Sequence, residues 1–257
     1  FAVLSAIKKG ERIFHYIFTI TLLVGTIAYF AMASDLAWNV INQVNYANNG
    51  SRQIFFAKYV YWCVSFPAVV LALGLISGVS WATIFYGIFL AWTWILSYLF
   101  SAYTTSNYKW GFFAFGTFAW LLLAYETIFM SRRSIAARDL GNGVGMHHLG
   151  LSSWVNFLWL NYVIAYGISD GGNVIGVTPG FIYFGILDLL LVPIVAAAFM
   201  FLARRWDYGR MNIAFTQHGR VSYAPGNFPE KHTNSAPVGA PADGPVSDAP
   251  VAAPTVV

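Results

Sequence analysis

The sequence predicts an all-α integral membrane protein, a bundle of seven transmembrane helices with the first truncated in this chain, and three observations carry that reading. Of 257 residues, 58% are hydrophobic and only 9% charged, against about 25% charged in an ordinary soluble domain. Six apolar runs approach or exceed the roughly 20 residues that a helix needs to cross a bilayer core. Lysines and arginines gather at the ends of those runs, overwhelmingly on one side of the membrane once the runs are alternated across it.

In chain order the spans fall at residues 10–34, 54–77, 80–103, 109–131, 150–169 and 178–203. Residues 1–7 are apolar but too short to span, and they read as the stump of an earlier helix; without a charged leading region or a small-residue cleavage site they do not read as a signal peptide. Alternation puts Lys8, Lys9, Arg12, Arg132, Arg133, Arg138, Arg204, Arg205, Arg210, Arg220 and Lys231 on one side and only Arg52 and Lys109 in the opposite loops. Cationic loops near span ends resist translocation, so the first set is cytoplasmic, the N-terminus lies outside and the C-terminus inside. The same pattern makes the net charge of +4 a topology signal and not a nucleic-acid surface.

The loop at 35–53, rich in asparagine and ending in Asn48-Asn49-Gly50-Ser51, is either a hairpin or a plain loop. The transmembrane domain closes at about residue 206. The segment 207–257 carries Pro225, Pro229, Pro237, Pro241, Pro245, Pro250 and Pro254 among alanines and glycines and is expected to be a disordered cytoplasmic tail, because it cannot bury enough apolar surface to fold.

Ionisable residues inside spans are costly and single out functional candidates. Lys58, Asp188 and Glu126 are the three. Lys58 either snorkels to the outer interface, pairs with Asp188 across the bundle or lies on an ion path; a buried Lys58–Asp188 pair, which cancels two charges, is the expectation adopted. Glu126 is expected to reach Arg132 or Arg133 at the cytoplasmic boundary. His147-His148, read as part of a glycine-rich loop, has no acidic or cysteine neighbour at metal-ligand spacing, so no metal site is expected. Gly141, Gly143 and Gly145 follow no strand and are not a nucleotide loop. The single cysteine, Cys63, lies in an apolar run and reads as a small buried residue.

Two segments carry a resemblance. The run Ser51-Arg52-Gln53-Ile54-Phe55-Phe56-Ala57-Lys58-Tyr59-Val60-Tyr61-Trp62, continuing to Ser65-Phe66-Pro67, resembles the third helix of fungal microbial rhodopsins. Gly185-Ile186-Leu187-Asp188-Leu189-Leu190-Leu191-Val192-Pro193 resembles their seventh, which reads Leu-Asp-Leu-Leu-Ala-Lys-Pro. Ser169-Asp170-Gly171-Gly172-Asn173-Val174-Ile175 looks like the outer loop before that helix, and the similarity extends in order over most of residues 1–206. It implies a seven-helix microbial rhodopsin-like bundle.

The departures from the family pattern then carry the functional expectation. In a light-driven pump of the family a lysine forms a Schiff base with retinal through its amine; Val192 stands at that position. Asp188 matches one of the two carboxylates that balance the protonated Schiff base, while the other, the proton acceptor, corresponds to Tyr61. A phenol with a reference pKa near 10 is a poor acceptor at neutral pH. The proton donor corresponds to Ala72 and the gating arginine to Lys58. Trp62, Trp159 and Tyr162 match the retinal cage, but Phe66 replaces a threonine, Tyr166 a tryptophan and Val163 a proline. Lys58 against Asp188 leaves one cation and one anion where a pump has two of each, as desolvation demands.

The resemblance therefore implies an opsin-related protein with no retinal, no metal and no catalytic residues, whose remnant pocket comprises Tyr61, Trp62, Phe66, Trp159, Tyr162, Tyr166, Asp188 and Val192. Such lysine-less members resemble the heat-shock-induced plasma-membrane proteins of yeast, linked to stress responses and to restraint of the plasma-membrane proton ATPase. The expected partners are the lipid bilayer and a membrane protein or second copy. Two alternatives stand beside this: a light-responsive ion pump or photosensor, and a binder of a noncovalent apolar ligand in the remnant pocket.

Overall fold

Polar backbone cannot be left unpaired in hydrocarbon, so each apolar run closes its own hydrogen bonds as a helix. In the computed structural model the described residues are 12–44, 50–137 and 142–206, with the backbone of 215–216 and 219–220. The stump expected at 1–7 lies outside them, as does nearly all of the expected tail at 207–257, of which Phe215–Thr216 and Gly219–Arg220 form a two-residue antiparallel ladder.

Helix α1 (Ile13–Ala33) buries Phe14, Ile17, Phe18, Thr21, Gly25, Ala28 and Met32, a spacing of three and four that turns one face inward. After positive-φ turns at Asp35 and Ala37, strands β1 (Trp38–Asn42) and β2 (Ser51–Phe55) pair antiparallel with Trp38 opposite Phe55. The loop is thus a hairpin. It leads directly into α2 (Phe56–Ser77).

Helix α2 is the central one: 72% of its apolar window is buried, against 22–44% for the other four helices that are long and apolar enough to span. Pro67 interrupts its ladder, because proline has no N–H to give the carbonyl of Cys63. The freed carbonyl is taken by the indole N–H of Trp92 at 2.9 Å, from the next helix. Gly78, in the left-handed region at φ 65°, ends α2. Ser80 then caps α3 (Trp81–Tyr103), its hydroxyl accepting from the Thr83 N–H at 3.2 Å.

The next span is α4 (Lys109–Tyr125), a π turn (Glu126–Met130) and α5 (Ser131–Ala137) in one stack. It runs past its expected end at 131, and Ser134 ties it to the carbonyl of Ser77. Helix α6 (Asn142–Tyr166) begins earlier than the expected 150 and ends in a second π turn (Gly167–Gly171). His147 and His148 are therefore on a helix and not in a loop; His148 is fully buried, and His147 Nδ1 accepts from the Trp206 indole at 3.1 Å. The last span, expected to be continuous, is broken into α7 (Val177–Leu191) and α8 (Pro193–Ala203) at Val192. Pro193 is the cause: it cannot donate to the carbonyl of Leu189.

In the bundle α1 packs against α2 and α8, α3 lies between α2 and α4, and α6 packs against α2 and α7. The hairpin, the turn after α3 and the π turn after α6 share one end of the bundle. Arg12, Arg132, Arg133, Arg204 and Arg205 mark the other.

Candidate functional site

Asp188 lies eleven residues into α7, about 16 Å along the helix at 1.5 Å per residue. Its carboxylate is buried and accepts three hydrogen bonds from three helices. Oδ1 accepts from Trp62 Nε1 at 2.9 Å and from the Tyr162 hydroxyl at 2.5 Å, and Oδ2 from the Tyr29 hydroxyl at 2.5 Å. All three donors are neutral. They satisfy the carboxylate, and Tyr29 is a member of the site that sequence reasoning missed.

The expected Lys58–Asp188 ion pair is corrected by the structure: Lys58 bonds Asp170, not Asp188. Lys58 is the third residue of α2, at the hairpin end, with its Nζ over the Phe184 ring at 4.5 Å, and Asp188 is four residues beyond Phe184 on α7, one turn deeper. The π turn at the end of α6 buries Ser169, Asp170 and Gly171, carrying a carboxylate that reads as a loop residue inward to the depth of the lysine. Asp170 Oδ2 also accepts from the Tyr59 hydroxyl at 2.9 Å, and Oδ1 from Arg52 Nε at 3.3 Å.

Arg52 and Lys109, expected in loops, are buried in the same cluster, at 2% and 0% exposure. Arg52 donates further to the carbonyls of Ile175 at 2.8 Å and Gly176 at 3.3 Å and to Asn173 Oδ1 at 3.4 Å. Lys109 Nζ donates to Gln43 Oε1 at 2.8 Å and to the Asp170 carbonyl at 3.3 Å. The expected tally of one cation against one anion therefore fails. Among the described residues two cations, Lys58 and Arg52, bond the Asp170 carboxylate, a third, Lys109, bonds the Asp170 backbone carbonyl and Gln43, and Asp188 has no cation bonded to it.

The eight residues expected to line one remnant pocket separate into three groups. Phe66 occupies the interior, its ring centroid 5.0 Å from Tyr162, 5.1 Å from Trp94, 5.8 Å from Trp159 and 6.0 Å from Trp62. Val192 and Trp159 are fully buried, and so is Ala72. Tyr166 stacks instead on Tyr98 at 4.3 Å and donates to the Tyr98 carbonyl at 3.0 Å, toward α3 and α4. Tyr61 turns the other way, toward α1, where Gly25 leaves room for its ring: a Cβ there would lie 2.8 Å from Tyr61 Cε2. With Tyr29, Gly185, Asp188, Leu189 and Pro193 it lines a cavity of about 380 Å³ between α1 and α7–α8.

Glu126 does not make the expected contact with Arg132 or Arg133 among the described residues, and its Oε2 is buried without a hydrogen-bond partner. Side chains that meet on a helix are three or four residues apart, whereas Arg132 and Arg133 are six and seven residues beyond Glu126, across the π turn.

A tryptophan and two tyrosines on an intramembrane aspartate, beside a proline-broken last helix, define the class: this chain belongs to the bacteriorhodopsin-like protein family, whose family model matches residues 1–201. Its relatives are fungal opsin-like proteins. It is 34% identical to Protein FDD123 of Trametes versicolor over 84% of this chain and 76% of that protein. It is 28% identical to the 30 kDa heat shock protein of Saccharomyces cerevisiae, over 73% of this chain and 61% of that one. The fold matches the solved light-driven proton pump LR (Mac) from Leptosphaeria maculans with a TM-score of 0.74 at 24% identity, over 82% of this chain and 88% of that one.

Proposed function

We propose that the chain is a retinal-free, non-pumping opsin-related protein of the plasma membrane, acting in stress response as a chaperone-like or regulatory partner of other membrane proteins such as the proton ATPase. The observation that carries the retinal-free part is the packed interior around Phe66, taken with Val192 at the lysine position. Val192 has no amine, and the interior of the bundle is filled by the Phe66 ring between Trp62, Trp94, Trp159 and Tyr162. Tyr61 and Ala72 remove the acceptor and the donor of a proton relay as well. Similarity to a heat shock protein supports the stress-response part.

Adding all-trans-retinal to the purified protein tests the first part. The expected result is no stable band above about 450 nm, where Schiff-base pigments absorb; a bleachable band would overturn it. Native purification followed by mass spectrometry tests the second, with a co-purifying membrane protein expected. The cavity beside Tyr61 favours a second reading, a noncovalent ligand, in a place other than the expected cage.

A further inference from the structure

We infer that the cavity between α1 and α7–α8 binds a protonated primary amine carrying one apolar chain, with the ammonium on Asp188 and the chain along Leu22, Leu189 and Pro193. This goes beyond the proposed function and does not rest on it.

Asp188 is 3% exposed, and among the described residues its three hydrogen-bond partners, Trp62, Tyr162 and Tyr29, are all neutral donors. Lys58, a nearby cation, is bonded to Asp170. A carboxylate held in a low-dielectric interior without a bonded cation attracts one far more strongly than the same group does in water. Asp188 lines the cavity, so a cation entering it meets that field directly. A neutral alcohol would gain only another hydrogen bond.

Shape points the same way. At about 380 Å³ the space sits at the lower end of the range for small-ligand sites, roughly 300–1,000 Å³, and is too small for a two-chain lipid. Gly25 and Gly185 keep its walls low, while Leu22 and Leu189 at its lining are 39% and 56% exposed, so it faces the apolar surface of the bundle. The rings of Tyr29 and Tyr61, 6.1 Å apart and edge to face, offer aromatic surface beside the carboxylate, which favours an ammonium further. The polar end is deep and the apolar end is at the membrane, as a single-chain amine requires.

The test is native mass spectrometry of the full chain released from nanodiscs and titrated with n-hexylammonium or with n-hexanol, folding being followed by the tryptophan unfolding transition. One saturable hexylammonium per chain is expected, with hexanol at least about tenfold weaker. Asp188→Asn should weaken the amine by at least about tenfold while leaving hexanol little changed. Because Asp188→Asn also disturbs three hydrogen bonds, Gly185→Leu provides a second arm. A Cβ at Gly185 meets only the Tyr29 hydroxyl, at 3.9 Å, so the leucine fills the space with the charge intact and should abolish binding in a folded protein, whereas Gly185→Ala should keep it. Equal binding of hexanol and hexylammonium would overturn the proposal in favour of a merely apolar void. Undiminished amine binding by folded Gly185→Leu would overturn it too.

Discussion

Lys58 has two carboxylates within the reach of its long stem and bonds only one. The choice is set by depth: Asp170 lies at the level of the first turn of α2, and Arg52 and Tyr59 converge on the same carboxylate. Removing one partner of a buried pair leaves the other uncompensated, so Asp170→Asn should destabilise the protein by about 3–5 kcal/mol in detergent unfolding measurements. A double-mutant cycle should show strong coupling between Lys58→Met and Asp170→Asn and little between Lys58→Met and Asp188→Asn; the reverse order would refute the assignment. At Gly25 the constraint is steric. An added methyl would meet the Tyr61 ring at 2.8 Å, so Gly25→Ala should cost about 1–3 kcal/mol as overpacking, and Tyr61→Leu in the same chain should relieve it.

At the scale of elements, irregularities in the helices place the functional groups. Two of them come from proline and two from π turns. Pro67 frees the Cys63 carbonyl that the Trp92 indole then takes, joining α2 to α3. Trp92→Phe should therefore cost about 1 kcal/mol through the lost hydrogen bond. The cost should shrink when Pro67→Ala supplies an N–H in its place, which thermal unfolding of the four proteins of the cycle would measure. Pro193 breaks the last span at Val192, and the proline alone makes that break legible within an otherwise continuous apolar run. The π turn at Gly167–Gly171 was not legible. Its inward aspartate reads as a loop residue, since Gly171 and Gly172 after Asp170 signal a turn and nothing local says that the helix adds a residue per turn there.

At the scale of the molecule, a photochemical pump needs an amine, a cavity and a proton relay together, and the proposed reading places the departures from that state on two spans, Tyr61, Phe66 and Ala72 on α2 and Val192 between α7 and α8. Val192→Lys alone should therefore yield no stable pigment with retinal, because the Phe66 ring fills the interior. Val192→Lys with Phe66→Thr should yield an absorbing but non-pumping one, since Tyr61 and Ala72 still lack the acceptor and the donor; absorbance and light-driven pH change in vesicles distinguish the two. A pigment from Val192→Lys alone would show that the packing is not the obstacle.

The sequence by itself determined the membrane class, the order of the spans and the residues standing at Val192, Tyr61 and Ala72. Hydrophobicity and chain position are properties of one dimension, and a bilayer reads them in that dimension. Only the tertiary structure decided that Lys58 meets Asp170, that Tyr29 joins Trp62 and Tyr162 on Asp188, and that Tyr61, Phe66 and Tyr166 point three different ways. Those outcomes depend on which side chains separate helices bring to the same depth and the same face. A one-residue shift in a π turn or a missing proline N–H changes both, while leaving the hydrophobic pattern along the chain as it was.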